Sequence, residues 1–154
     1  MISLYKSKKT NIKLNSVNKT VIKTIFRPLN EKEYEIQTLA YTLGVAPKVI
    51  SHSFDNIEKI LTIEMEYVEG LTLNNYLNQP NIDKRHVKHA LFAAINKLYN
   101  AGIHHRDLID DNIIVGTQNN KIFVKILDYG HAKLFPESLE LRLRDYSIFA
   151  NKNW

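Results

Sequence analysis

The sequence predicts an α+β protein of two lobes, and three observations carry that expectation. Short runs with β-type apolar alternation crowd the first 67 residues. The longest amphipathic pattern of helical period lies after residue 80. Between them Val68-Glu69-Gly70 interrupts the periodicity and marks a hinge near residue 68. Strands first and helices after is the α+β order. The expected organisation is one domain, with a sheet-rich lobe over 1–66, a hinge over 67–70 and a helical lobe over 71–154.

Each element has its own signal. Residues 2–5, 12–15 and 20–26 read as strands of a small antiparallel meander, parted by turn-prone Ser, Lys and Asn. Pro28-Leu29-Asn30 then introduces a helix. Asn30 stands in the cap position with Glu33 three residues on, the spacing of a capping box. Ile36, Leu39, Ala40 and Leu43 follow at helical spacing, and Gly44 supplies the stop. Strands are expected over 48–54 and 60–67, joined by Asp55-Asn56, and a short helix over 71–77. The longest helix spans 83–100, with Val87, Leu91, Ala94, Ile95 and Leu98 on one face and Gly102 closing it. A hairpin pairs 113–115 with 122–127 over the loop 116–120. A final helix of about 137–150 carries Leu139, Leu143, Tyr146 and Phe149.

Composition bounds the environment. A chain of 154 residues is one domain and can bury roughly 68–70% of its unfolded surface. Cysteine is absent, which excludes disulfides and thiolate-ligated metals and points to a reducing compartment. No apolar run approaches the ~20 residues of a membrane span, and no signal peptide opens the chain. The expectation is a soluble cytoplasmic protein, of its own cell or of a host cell, without a membrane partner. The net charge of +5 is mostly lysine, alongside abundant Asn and Ile, as an AT-rich genome produces. It is weak evidence for nucleic acid, and no nucleic-acid partner is expected. Lys6, Lys8, Lys9, Lys13 and Lys19 nevertheless concentrate positive charge where anions could be attracted.

The chemistry gathers in His105-Arg106-Asp107-Leu108-Ile109-Asp110-Asp111-Asn112 and, beyond the hairpin, Asp128-Tyr129-Gly130. Asp128 directly follows an apolar strand, so its carboxylate is presented at a strand end. Asp107 and Asn112 share a loop between a helix and a strand. The pair of motifs resembles the H-R-D-x-x-x-x-N and D-[aromatic]-G sequences of the protein kinase family. Nearly all of the chain follows that family's order. Val21-Ile22-Lys23 resembles the third-strand lysine element. Glu64-Met65-Glu66-Tyr67-Val68-Glu69-Gly70 resembles the hinge, with Met65 at the gatekeeper position.

The resemblance implies a two-lobed protein-kinase-like fold with a truncated C-lobe, and a role for each matching residue. Lys23 pairs the α- and β-phosphates of ATP, with Glu33 as its helix partner. The backbone of Glu66 and Val68 binds adenine beside Met65. Asp107 is the catalytic-loop base, and Asn112 and Asp128 hold Mg²⁺. Plainer readings stand beside these. Lys23 alone is a strand lysine, Glu33 is equally a capping-box glutamate, and Glu35 is its rival two residues on. Of His86, His89, His104 and His105, the first three read as solvated or core side chains and His105 as the packing histidine of its motif; no third ligand makes them a metal site.

Four departures temper the resemblance. No glycine precedes Gly44, so the 6–11 turn lacks a phosphate-cradling glycine loop. Ile109 stands where many Ser/Thr kinases carry a lysine. Little room separates Gly130 from Pro136 and the final helix, which leaves Arg106 without a phosphorylated activation-loop partner. Asp145 resembles the buried aspartate that braces the catalytic loop, yet only 24 residues follow Gly130. A similar abridgement is seen in small atypical kinases of the tRNA-threonylcarbamoylation complex and in minimal bacterial effector kinases. The implied function is a minimal ATP- and Mg²⁺-dependent Ser/Thr protein kinase of low turnover, itself among its acceptors, with a protein substrate or activating partner. The alternative is a nucleotide-binding pseudokinase that regulates a partner. A small-molecule phosphotransferase ranks last, since such enzymes build the acceptor pocket from further helices.

Overall fold

The computed structural model describes residues 1–135, 139–152 and 154. Strands β1 (Ile2–Lys6), β2 (Thr10–Asn15), β3 (Thr20–Phe26), β4 (Val49–Asp55) and β5 (Ile60–Glu66) form one antiparallel sheet in the order β1-β2-β3-β5-β4. Alternation along β3 buries Val21, Lys23 and Ile25 on one face. Ile25 joins Leu61 and Ile63 in a small core flanked by Tyr34, Val49, Phe54 and Met65. On the other face Thr24, Thr62 and Ser53 line up in register. The sheet is therefore buried on one side only.

Helix α1 (Glu33–Thr42) follows β3 in the chain and comes before β4. Its Ile36 and Ala40 do not join the sheet's core but pack with Val45 and Ala46 into a second, larger one. Most of the rest of that core comes from α2 (Leu73–Leu77), α3 (Lys84–Asn100), β7 (Ile103–His104), β8 (Ile113–Gln118), β9 (Lys121–Ile126) and α4 (Leu139–Ala150), while β6 (Leu71–Thr72), a 3₁₀ turn (Asp110–Asn112) and β10 (Lys133–Leu134) lie outside it in the same lobe. Helix α3 is capped by Asp83, whose carboxylate accepts from the N–H groups of Arg85 and His86 at 3.0 and 3.3 Å. Its Val87, Leu91, Ala94, Ile95 and Leu98 face inward as their spacing requires. The loop after α1 is bolted to β9: Ile126 N–H donates to the Val45 carbonyl at 2.8 Å and Lys125 Nζ to that of Gly44 at 2.7 Å.

Strand β3 occupies the predicted residues, and most other elements fall within a few residues of expectation. The differences have local causes. Asn30 does not cap α1. Its side chain accepts from Lys32 N–H at 2.9 Å, the helix begins at Glu33, and no capping box forms. The first hairpin turns over residues 7–9 because the Ser7 hydroxyl accepts from the N–H groups of Lys9 and Thr10. Leu71 and Thr72 pair with β8 before the short helix starts. The later hairpin is longer than expected: Gly116 lies inside β8, and only Asn119 and Asn120 turn, at φ +53° and +60°. Two such residues suit the tight turn that joins twisted strands. Residues 136–138, where the final helix was expected to begin, lie outside the described residues.

Two glycines mark where the hinge meets the lower lobe. A Cβ on Gly70 would lie 2.6 Å from the Val115 carbonyl oxygen, and one on Gly116 2.9 Å from that of Glu69. Backbone approaches backbone too closely there for any side chain.

Candidate active site

Lys23 lies in the middle of β3, paired with Ile12 of β2 and Ile63 of β5, so its stem is walled by apolar neighbours. Its ammonium donates to Glu33 Oε2 at 3.0 Å and Oε1 at 3.3 Å, and to Asp128 Oδ1 at 3.0 Å. Glu33 is 1% exposed, whereas Glu35 faces solvent. Of the two candidate glutamates, then, the structure brings Glu33 to Lys23.

One ammonium is shared by two carboxylates, and burial sets how they differ. For Lys23, burial acts to lower the pKa, but the charges of Glu33 and Asp128 outweigh it and hold the amine above its ordinary value. Glu33, the drier carboxylate, is pushed up by burial against the pull of Lys23. Asp128 is also burdened by burial, yet Lys23 and the Gly130 N–H hold it below the ordinary range. The site keeps a cation and, at its open side, an anion.

The second half of the site hangs from β7. His105 is 1% exposed, and burial lowers its pKa, so the ring is neutral. Its Nδ1 accepts from Asp107 N–H at 3.2 Å while Nε2 lies 2.8 Å from the Leu127 carbonyl, to which it donates. One ring thereby joins the Asp107 loop to the strand end before Asp128. Asn112 closes the loop: its Nδ2 donates to the Asp107 carbonyl at 2.9 Å and to Asp107 Oδ2 at 3.0 Å. Leu127 N–H donates to the Asn112 carbonyl at 2.7 Å. Asp107, Asn112 and Asp128 are thus one hydrogen-bonded unit.

The strained residue of the second motif is not its glycine. Asp128 itself takes φ +61°, and Gly130 serves by leaving room. A Cβ on Gly130 would lie 3.3 Å from Asp128 Oδ1 and 3.4 Å from Glu33 Oε2. Tyr129 between them is fully buried, edge-on to the His105 ring at 4.9 Å, and its hydroxyl has no partner among the described residues.

Three side-chain oxygens of this unit have no hydrogen-bond partner among the described residues: Asp107 Oδ1, Asn112 Oδ1 and Asp128 Oδ2, of which the last two belong to the residues that the resemblance implies as metal ligands. Hard oxygens from one carboxylate and one amide fit Mg²⁺, which binds through few protein ligands and completes its shell with phosphate and water. No cluster of three or more His, Asp or Glu among the described residues would hold a metal without such help.

The hinge leaves a backbone donor free among the described residues. Glu66 N–H is taken by the Lys48 carbonyl and Tyr67 N–H by that of Lys19, each at 2.9 Å. Val68 N–H has no backbone partner among the described residues, and Met65, against Gln37 Nε2 at 3.5 Å, lines the sheet side. Between β1 and β2, Ser7 to Lys9 make a tight turn where the glycine loop was missing from the sequence. Ile109 is half-exposed.

Asp145, matched in sequence to a buried aspartate beside the Asp107 loop, is buried, and its charge acts on His104 and His105 at the start of that loop. Its hydrogen-bond partner is the Tyr99 hydroxyl on α3, which donates to it. A tyrosine at helical spacing reads as core, and nothing in the sequence distinguishes one whose hydroxyl meets an acid 46 residues on. His104 was read as solvated or core; it is 5% exposed, with neither ring nitrogen hydrogen-bonded among the described residues.

Comparison with known families matches the protein kinase domain over residues 5–149. A probable serine/threonine-protein kinase PknB of Lactococcus lactis is 34% identical over 80 residues, 49% of this chain and 12% of that protein. A serine/threonine-protein kinase pkn3 of Myxococcus xanthus is 39% identical over 79 residues, 48% of this chain and 14% of that protein. A probable serine/threonine-protein kinase of Dictyostelium discoideum is 31% identical over 101 residues, 60% of this chain and 15% of its own length. The matched stretch thus spans 12–15% of these relatives.

Proposed function

The chain belongs to the protein kinase domain family, and from that premise we propose that it is a slow, Mg²⁺–ATP-dependent Ser/Thr phosphotransferase. Its acceptors would be proteins, itself among them, and a protein partner would complete the acceptor platform. The geometry behind this reading is the linkage of Lys23, Asp107, Asn112 and Asp128 through hydrogen bonds of 2.7–3.3 Å.

In this reading Val68 N–H and the Glu66 carbonyl orient the base, and the Lys23 ammonium, kept charged by Glu33, lies against the α- and β-phosphates. Asn112 Oδ1 and Asp128 Oδ2 would hold Mg²⁺, which when bound neutralises phosphate charge. Asp107 accepts the acceptor hydroxyl proton as that oxygen bonds to the γ-phosphorus and the bond to the β–γ bridging oxygen breaks, freeing ADP. Slow turnover follows from two features. A turn without glycine cannot close its N–H groups on the phosphates. Ile109 donates nothing, and a missing transition-state donor costs about 10²–10³ in rate.

Incubation with γ-labelled ATP and Mg²⁺, alone and with cell extract, tests this. Label on the protein or on an extract protein should fall at least about 100-fold in Asp128→Ala. Equal labelling by both proteins overturns the reading. A scaffold role is favoured by one observation: the 3.0 Å bond to Asp128 Oδ1 engages the Lys23 cation within the protein itself. Asp107→Asn selects between them, because a scaffold keeps its effect on a partner and a kinase loses it.

A further inference from the structure

The loop that carries Asp107 and Asn112 is acidic and contains no lysine of its own, with Ile109, Asp110 and Asp111 between them. Among the described residues the one cation hydrogen-bonded to it comes from 42 residues away. Lys152 Nζ donates to Asp110 Oδ2 at 2.7 Å and to Asn74 Oδ1, on α2, at 2.8 Å. Exposed ion pairs contribute little as a rule, because water and side-chain entropy offset them. This one differs in two respects. Its side chains are only 20% and 23% exposed, and the segment behind Lys152 is held firmly. Lys152 N–H and the Trp154 indole both donate to the Phe149 carbonyl, and Phe149 is buried in the larger core.

Asp110 opens the 3₁₀ turn that ends at Asn112. Within it Ile109 N–H donates to the Asp107 carbonyl at 3.0 Å and Asn112 N–H to that of Ile109 at 2.9 Å. A pull on Asp110 is thus passed to both reacting side chains through a few rigid bonds.

We propose that Lys152 is a positioning residue, which acts through Asp110 to hold Asp107 and Asn112 in register with Asp128. This rests on the phosphotransfer reading above for its effect on rate, but not for its effect on the loop. The segment after α4 supplies from outside the fixed charge that the loop lacks, and Asn74 sets the ammonium's direction.

The test uses Lys152→Ala, Lys152→Arg and the isosteric Asp110→Asn in the full chain. Two readouts are taken: kinetics with Mg²⁺–ATP, and amide hydrogen exchange of residues 107–112 with and without Mg²⁺–ADP. Lys152→Ala and Asp110→Asn should lower kcat about tenfold, the usual scale for a lost outer-shell partner, while KM for ATP holds. Exchange should quicken over 107–112, and Lys152→Arg should restore most of both. Unchanged exchange in that segment for both charge-removing variants overturns the proposal, whatever the kinetics. Quickened exchange in the two variants of a protein whose wild type transfers no phosphate keeps the tether and removes the phosphotransfer reading instead.

Discussion

In the sheet lobe the buried cation Lys23 hangs from a strand over a thin core; in the helical lobe three oxygen-bearing residues sit on loops above a thick one. Lys23 depends on side-chain ion pairs for its place, whereas Asp107, Asn112 and Asp128 are fixed by backbone and amide hydrogen bonds. Helix α1 crosses the divide. It supplies Glu33 to the upper cation while burying Ile36 and Ala40 in the lower core. The Lys23–Glu33 pair therefore spans two packing units, and its length reports how they are set against each other.

The sharpest way to break that comparison is to hollow each core in turn. Leu91 and Leu61 are both fully buried, one in each core. Leu91→Ala should cost about 3–4 kcal/mol, roughly 10 °C in melting temperature, and loosen the whole chain. Leu61→Ala should cost about 2 kcal/mol, because a thin one-sided core collapses more readily around the gap. Hydrogen exchange should then quicken in β3 and β5 but not in α3. Equal losses in one shared transition would show that the two cores unfold as one.

A smaller effect probes the junction. The Tyr129 hydroxyl is buried without a partner, which costs stability that a phenylalanine would not lose. Tyr129→Phe should raise stability by about 1 kcal/mol, seen as a melting temperature some 3 °C higher. A lower melting temperature would mean that the hydroxyl is satisfied in solution.

The smallest effect is a pH dependence confined to the lower lobe. Burial lowers the pKa of both His104 and His105 from the ordinary 6.5. The unfolded chain then takes up protons before the folded one does. Stability is present above pH 6.5 and is lost as the pH falls toward the lowered folded values. His104→Phe should flatten part of this slope in melting temperature against pH, since its ring meets Tyr99 and Phe135 at 5.8 and 6.1 Å rather than any hydrogen-bond partner. An unaltered slope assigns the loss elsewhere.

What the sequence revealed divides along the same line as the two lobes' means of holding the site. Local periodicity and order made β3, α3, Lys23 and the two lower motifs readable, because each is dictated by neighbours in the chain. The two-residue pairings of Leu71–Thr72 with β8 and of β7 with β10 carry no period and could not be read. Glu33 was ambiguous between cap and ion pair until tertiary packing placed Lys23 against it. The Tyr99 partner of Asp145 and the tether from Lys152 left no trace, since both bonds join residues more than 40 apart. The kinase-like fold and the presence of the site's parts were legible; the long-range bonds that aim them were not.

The backbone contact between Gly70 and Val115 has a consequence for mutational scanning. Every substitution at Gly70 or Gly116 adds a Cβ where an oxygen already stands 2.6–2.9 Å away. Both positions should score as intolerant as Asn112 and Asp128, the proposed metal ligands, without belonging to the site. A tolerance map of this chain will therefore trace two overlaid patterns, one of chemistry and one of crowding. Alanine, the smallest change available, separates them: it is ruinous where crowding rules, and at Asp128 it silences the site while the fold endures.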